Sequence, residues 1–166
     1  MKIAVPTKDG SVDNHFGHCD HYTIFTVNEG EVKMKEIVAK YEKVAGVDCT
    51  VLEKGSGLGI VKMMLNQQIG KDFMKGVTSI IIIDFSEAKE QTRKELNQDI
   101  DTFKTMLQEF KSDDDKDSAG KEKTRGFAYV SDDGTISDFL FASEDSESKM
   151  LMYMAGKINV KDLVNE

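Results

Sequence analysis

Residues 126–158, GFAYVSDDGTISDFLFASEDSESKMLMYMAGKI, decide the fold. They hold three apolar-rich runs: Gly126 to Val130, Ile136 to Ala142 and Lys149 to Ile158. Asp132-Asp133-Gly134 and Ser143-Glu-Asp-Ser146 separate them, and short polar residues with glycine tolerate the backbone angles of tight turns. Strands joined by connections this short run antiparallel, so the segment predicts a β-meander.

Upstream, Val77-Thr-Ser-Ile-Ile-Ile-Ile83 is a near-continuous branched apolar run, the mark of a strand covered on both faces. It belongs at the centre of the sheet. A long helix is expected over 87–111, with Ser86 as its N-cap and Glu87 beside the positive end of the dipole. Leu96, Ile100, Phe103, Leu107 and Phe110 step by four, three, four and three, so they share one face and pack into a core. Glu87, Glu90 and Glu95 belong to its solvated side. Further upstream, Val47 to Glu53 reads as a strand. Gly55-Ser-Gly-Leu-Gly59 reads as a flexible connection into a helix from Ile60 to Ile69.

The N-terminal part has a different character. Lys2 to Thr7 reads as a short strand closed by Lys8-Asp9-Gly10. Tyr22 to Val27 is β-branched and aromatic, Asn28-Glu29-Gly30 is a turn signal, and Glu31 to Lys35 reads as the return strand of a hairpin. Near Lys35 the pattern changes: Ile37, Val38, Tyr41 and Val44 fall at helical spacing, with Gly46 as a stop. Ser112 to Thr124 has no large apolar side chain and reads as a loop. Asp113, Asp115 and Asp117 alternate like calcium ligands, but Ser118 stands where the calcium loop needs glycine and Thr124 where it needs glutamate. Val160 to Val164 predicts a terminal helical turn.

The fold class follows as α+β: an antiparallel sheet ending in the meander, helices packed on one face, and an N-terminal β-hairpin segment. The size of 166 residues and 18.6 kDa suits one domain or a small domain with an added segment. With 22 basic and 30 acidic residues the net charge is −8, a surface that repels phosphate backbones and makes nucleic acid a poor partner. Two cysteines make neither a disulfide framework nor a four-thiolate zinc site. The apolar start is too short for a signal peptide and no run approaches a membrane span, so a cytoplasmic protein is expected.

One stretch concentrates metal-ligand chemistry. The three histidines lie within seven residues, His15-Phe-Gly-His18-Cys19-Asp20-His21. Imidazole and thiolate suit borderline and soft metals, and Gly17 lets the backbone fold ligands toward one centre. Two or three such ligands would hold iron or an iron–sulfur cluster with positions left open for exchange. The plainer reading is a polar turn in which a histidine and Asp20 tie down the loop; spacing alone slightly favours it.

Other features are weaker. Gly55, Gly57 and Gly59 with Asp84 hint at a dinucleotide site, but Ile60 stands where the fingerprint needs glycine or alanine. Met150, Met152 and Met154 alternate along one strand, where methionine serves as core filler rather than a copper site. No serine or cysteine pairs with a base, so no catalytic residue is assigned and enzyme chemistry is not expected.

Residues 1–35 carry MKIAVPT, DGSVDNHFGHCDHYTIFTV and EGEV, and this segment resembles the dinitrogenase iron–molybdenum cofactor biosynthesis family. The resemblance implies a ribonuclease-H-like α/β fold, a role in carrying iron–sulfur or iron–molybdenum cluster precursors, and His15, His18 and Cys19 as cluster-facing positions. His21 joins them as a further metal-ligand candidate. Residues 36–166, with KYEKVAGVDCTVLEKGSGLGIVKMML, FMKGVTSIIIIDFSEA and SKMLMYMAGKI, resemble a bacterial family of unknown function whose members are usually exported. Three functions stay open: an interaction or regulatory module with a protein partner, a metal- or cluster-binding carrier, and a nucleotide-dependent enzyme.

Overall fold

The computed structural model describes residues 2–8, 11–12, 21–26, 28–69, 74–110, 123–131, 135–144 and 149–158. The turn at 132–134, the helical turn at 160–164 and residues 112–122 of the loop expected over Ser112–Thr124 lie outside them; the last two residues of that loop, Lys123 and Thr124, begin a strand instead. Nine strands and three α-helices follow one another among the described residues. β1 (Lys2–Lys8), β2 (Ser11–Val12) and β3 (His21–Thr26) form a three-stranded antiparallel sheet with β1 in the middle. α1 (Glu29–Tyr41), β4 (Asp48–Leu52), α2 (Leu58–Ile69), β5 (Gly76–Asp84) and α3 (Glu90–Asp101) come next. β6 (Gln108–Phe110), β7 (Lys123–Val130), β8 (Ile136–Glu144) and β9 (Lys149–Ile158) complete a six-stranded sheet ordered β4-β5-β9-β8-β7-β6. Every pairing in it is antiparallel, and the three C-terminal strands form the expected meander. The architecture is α+β. No pairing among the described strands confirms the ribonuclease-H-like fold implied by the first resemblance.

β5 is an interior strand between β4 and β9, and both its faces are covered. Ile81 and Ile83 pack with Met34, Ile37 and Tyr41 of α1, Leu96 and Ile100 of α3, and Leu151 and Tyr153 of β9. Val77 and Ile80 face the other way, against Leu58 of α2, Met74, Met154 and Ile158. Helices therefore cover two faces rather than one. The run of branched residues required this, since each face of β5 carries isoleucine.

Two expected elements differ. Glu31–Lys35 is not a return strand but part of the first two turns of α1, so the change of character near Lys35 falls inside a helix. Asn28, read as a turn residue, is the N-cap: its Oδ1 accepts from the Glu31 amide at 3.0 Å, and Glu29 and Glu31 occupy the positive end of the helix. The 87–111 helix is shorter. α3 starts at Glu90, and the Thr102 and Thr105 hydroxyls donate back to the carbonyls of Asp99 and Thr102 through a 3₁₀ turn at Thr102–Thr105. Ser86 does not cap it: its Oγ accepts from the Lys149 amide at 2.9 Å and so tethers the start of β9. Leu96, Ile100, Phe103 and Leu107 are buried as expected, whereas Phe110 sits on edge strand β6, 41% exposed.

Candidate functional site

His15, His18 and Cys19 lie outside the described residues, and of His21 only the backbone is described. The topology nevertheless fixes where their segment is attached. Val12 of β2 and His21 of β3 both pair with Thr7 of β1, one from each side. The ends of 13–20 are thus held about two inter-strand spacings apart, roughly 10 Å. Among the described residues no group of three His, Cys, Asp or Glu side chains is placed to hold a metal ion. Cys49 is half-buried beside the main core. Burial, with help from Glu42 and Asp48, pushes its thiol up, which makes it a poor thiolate ligand.

The glycine-rich segment and Asp84 are not brought together. Leu52 pairs with Ile80 while Asp48 pairs with Asp84, so the loop after β4 and the end of β5 lie at opposite ends of one ladder. Four residues of strand separate them, roughly 13 Å. Gly55 and Gly57 take φ of +97° and +88° in a turn closed by Ser56, whose Oγ accepts from the Glu53 amide at 2.6 Å and donates to its carbonyl at 2.9 Å. Asp84 accepts from the Ser86 amide at 2.9 Å, a local turn bond. Met154 is buried and Met152 packs against the same cluster, in keeping with core packing.

The structure adds a polar centre where α1 meets the large sheet. Asp138, φ +60°, sits at irregularities of the β8 pairing with both neighbours. Its Oδ1 accepts from the Tyr153 hydroxyl at 2.5 Å and from Nδ2 of Asn28. The Tyr153 hydroxyl also donates to Asn28 Oδ1 at 3.4 Å, and buried Ser79 donates to Glu31 Oε1 at 3.4 Å. Gly30 makes the approach possible, since a Cβ there would stand 2.9 Å from the Tyr153 hydroxyl. Burial first, then the bond to Asp138, raises the Tyr153 pKa far above its ordinary value, so the phenol keeps its proton and acts as a donor. Lys35 bridges Glu31 at 3.2 Å and Glu53 at 2.8 Å, linking this centre to the turn after β4. Two consecutive polar residues, Ser137-Asp138, interrupt the apolar alternation of β8 and were the sequence signal for it.

A cleft of about 410 Å³ lies between α3 and the ends of β7 and β8, lined by Lys94, Asn97, Gln98, Arg125, Ser143 and Glu144 among others. Its charges are largely committed. Arg125 donates to Asp101 at 2.6 Å and to Glu109 at 3.3 Å, and Lys94 pairs with Glu90 at 2.7 Å.

Comparison with known proteins adds two findings. Residues 1–79 match the family model described as dinitrogenase iron-molybdenum cofactor, which covers the His-rich segment and continues through α1, β4 and α2 into β5. An uncharacterized protein of Methanocaldococcus jannaschii is 33% identical over 72 residues, 42% of this chain; the match spans 60% of that protein's length. No solved structure matches. The family match passes well beyond residue 35, and neither finding supports the separate resemblance drawn for 36–166.

Proposed function

We propose that the protein is a non-enzymatic module that binds iron, or an iron–sulfur or iron–molybdenum cluster, as cargo and passes it to another protein. His15, His18 and Cys19 hold the cargo, with His21 beside them. The observation that carries this reading is the match of residues 1–79 to the iron–molybdenum cofactor family, which takes in all four residues. The donor set fits such a cargo. Imidazole and thiolate are ligands for iron, and a set this small leaves coordination positions for incoming and departing partners. The attachment of Val12 and His21 to the two sides of Thr7 supports it too, because it draws both ends of the ligand-bearing segment to one end of the small sheet. Cys49 does not take part: it is half-buried against the main core, and burial disfavours its thiolate.

The nucleotide reading loses its support, since Gly55–Gly59 and Asp84 stand at opposite ends of the β4–β5 ladder. Anaerobic reconstitution of the full chain with ferrous iron and sulfide tests the proposal. Visible sulfur-to-iron charge-transfer absorbance, lost in Cys19→Ala and kept in Cys49→Ala, is the expected result. Equal absorbance in the wild type and Cys19→Ala would overturn it.

A further inference from the structure

We infer that β4 is an association edge, at which a second copy of this chain adds its own β4 antiparallel, in a register centred on Thr50. β4 is an outer strand of the six-stranded sheet, and among the described residues no strand pairs with its free side. Such an edge presents amide and carbonyl groups spaced to bond an extended chain, so what it accepts is another strand. Edges that stay single carry guards: shortness, charge, proline or a bulge. The opposite edge has two of them. β6 is three residues long, and its central Glu109 is ion-paired with Arg125 at 3.3 Å and Lys104 at 3.8 Å. β4 is built differently. Asp48-Cys-Thr-Val-Leu52 holds unbroken register with β5 over all five residues, contains no proline, and has its one charge at the end. Val51 pairs with Ile81 of the main core and so shares its face, yet stands 37% exposed.

Self-complementarity identifies the strand that fits. A two-fold axis perpendicular to a sheet pairs residues that share a face, so the register centres on a residue. Thr50 is the midpoint of β4, and centring there pairs all five residues: Thr50 with Thr50, Cys49 with Val51 and Asp48 with Leu52 of the second copy. No like charges face each other, and threonine opposite threonine is a favourable cross-strand pair. Centring on Asp48 would instead oppose two carboxylates. Cys49 and Val51 lie beside Ile83 and Ile81, so the two copies would join them into one apolar row along the main-core face. Local charge does not oppose the approach. The chain carries −8 overall, but residues 40–54 hold Lys40, Lys43 and Lys54 against Glu42, Asp48 and Glu53, a net of zero. The pairing also closes on itself, since each copy uses its one unguarded edge. Two five-residue strands pair over only about 17 Å, well short of a standard interface, so the dimer forms at high protein concentration.

The test uses the full chain, first in sedimentation equilibrium under reducing conditions. Wild type should shift from monomer toward dimer between about 20 µM and about 0.5 mM. Val51→Lys places a guard at an exposed position and should weaken the dimer about tenfold or more, with circular dichroism unchanged. Cross-linking reads the register. In a Cys19→Ser/Cys49→Ser background, Thr50→Cys brings two thiols together at a Cα separation of roughly 4.5–5.5 Å, within disulfide reach. Asp48→Cys leaves its two thiols about 14 Å apart, and Glu109→Cys places them on the other edge. Under mild oxidation Thr50→Cys should give a disulfide-linked dimer at least about fivefold faster than either control. A monomer across the whole concentration range, cross-linking at a control position as fast as at Thr50→Cys, or a dimer that Val51→Lys leaves intact overturns the proposal.

Discussion

Replacing Tyr153 by Phe removes one oxygen from the centre that joins α1 to the large sheet. The ring stays: it is fully buried, its centroid 6.3 Å from that of Phe103, and Phe keeps that contact. Lost is the 2.5 Å bond to Asp138 and the weaker 3.4 Å bond to Asn28. A hydrogen bond to a carboxylate contributes roughly 1.5–3 kcal/mol, and Asp138 would be left with Asn28 as its remaining donor here. For a chain of this size that lowers Tm by roughly 3–12 °C. Thermal and urea unfolding of wild type, Tyr153→Phe, Asn28→Ala and the double variant form a cycle, whose coupling should exceed about 0.5 kcal/mol. pH supplies a second readout. The folded-state pKa of Tyr153 is raised, so its contribution is complete below the unfolded value of about 10 and is lost as pH rises above it. The wild type's advantage over Tyr153→Phe should therefore shrink above about pH 10. A variant as stable as the wild type, or an advantage that does not change at high pH, would refute the reasoning.

Gly156 has φ +106°, and a Cβ there would stand 2.3 Å from the Gly76 carbonyl oxygen across the β5–β9 ladder; Gly156→Ala should cost more than about 4 kcal/mol in denaturant unfolding. Gly55, φ +97°, has nothing within 4 Å of the added carbon, so Gly55→Ala should cost only about 1–2 kcal/mol for the backbone conformation. In a Cys19→Ser background, iodoacetamide at about pH 8 should modify Cys49 at least about tenfold more slowly in the folded protein than in denaturant, because burial keeps its thiol protonated. Asp101 is held below its usual pKa by Lys104 first and then Arg125, so its contribution is present above the unfolded value and lost as pH falls through the folded one. Being half exposed, it should make Asp101→Asn cost under about 1 kcal/mol near neutrality, a difference that vanishes in acid.

The large sheet was legible because its signals are redundant. Polar turns break the 126–158 segment into strands, and Val77–Ile83 announces burial on both faces by composition alone. The core stripe of Leu96, Ile100, Phe103 and Leu107 was legible for the same reason, although the backbone beneath it changes from helix to 3₁₀ turn. Boundaries failed where one residue type serves two ends of a chain element. Asn28 suits a hairpin turn and a helix N-cap equally, and only the bond its Oδ1 accepts from the Glu31 amide identifies the cap. The polar centre was not legible as a unit, because Asn28, Asp138 and Tyr153 lie more than a hundred residues apart along the chain at their widest. For the metal-ligand segment, the sequence supplied residue types and the topology supplied the attachment of its two ends at Thr7.

Iron and acid-labile sulfide content tests the central claim most directly. Full-length protein reconstituted anaerobically should be measured beside a His15→Ala/His18→Ala/Cys19→Ala variant, with unfolding curves for both. The account predicts stoichiometric iron in the wild type, little in the variant, and unchanged apo-protein stability, because the strands that bracket the ligand segment pair within the small sheet. Protein that takes up no iron, or a variant that takes up as much as the wild type, would contradict it.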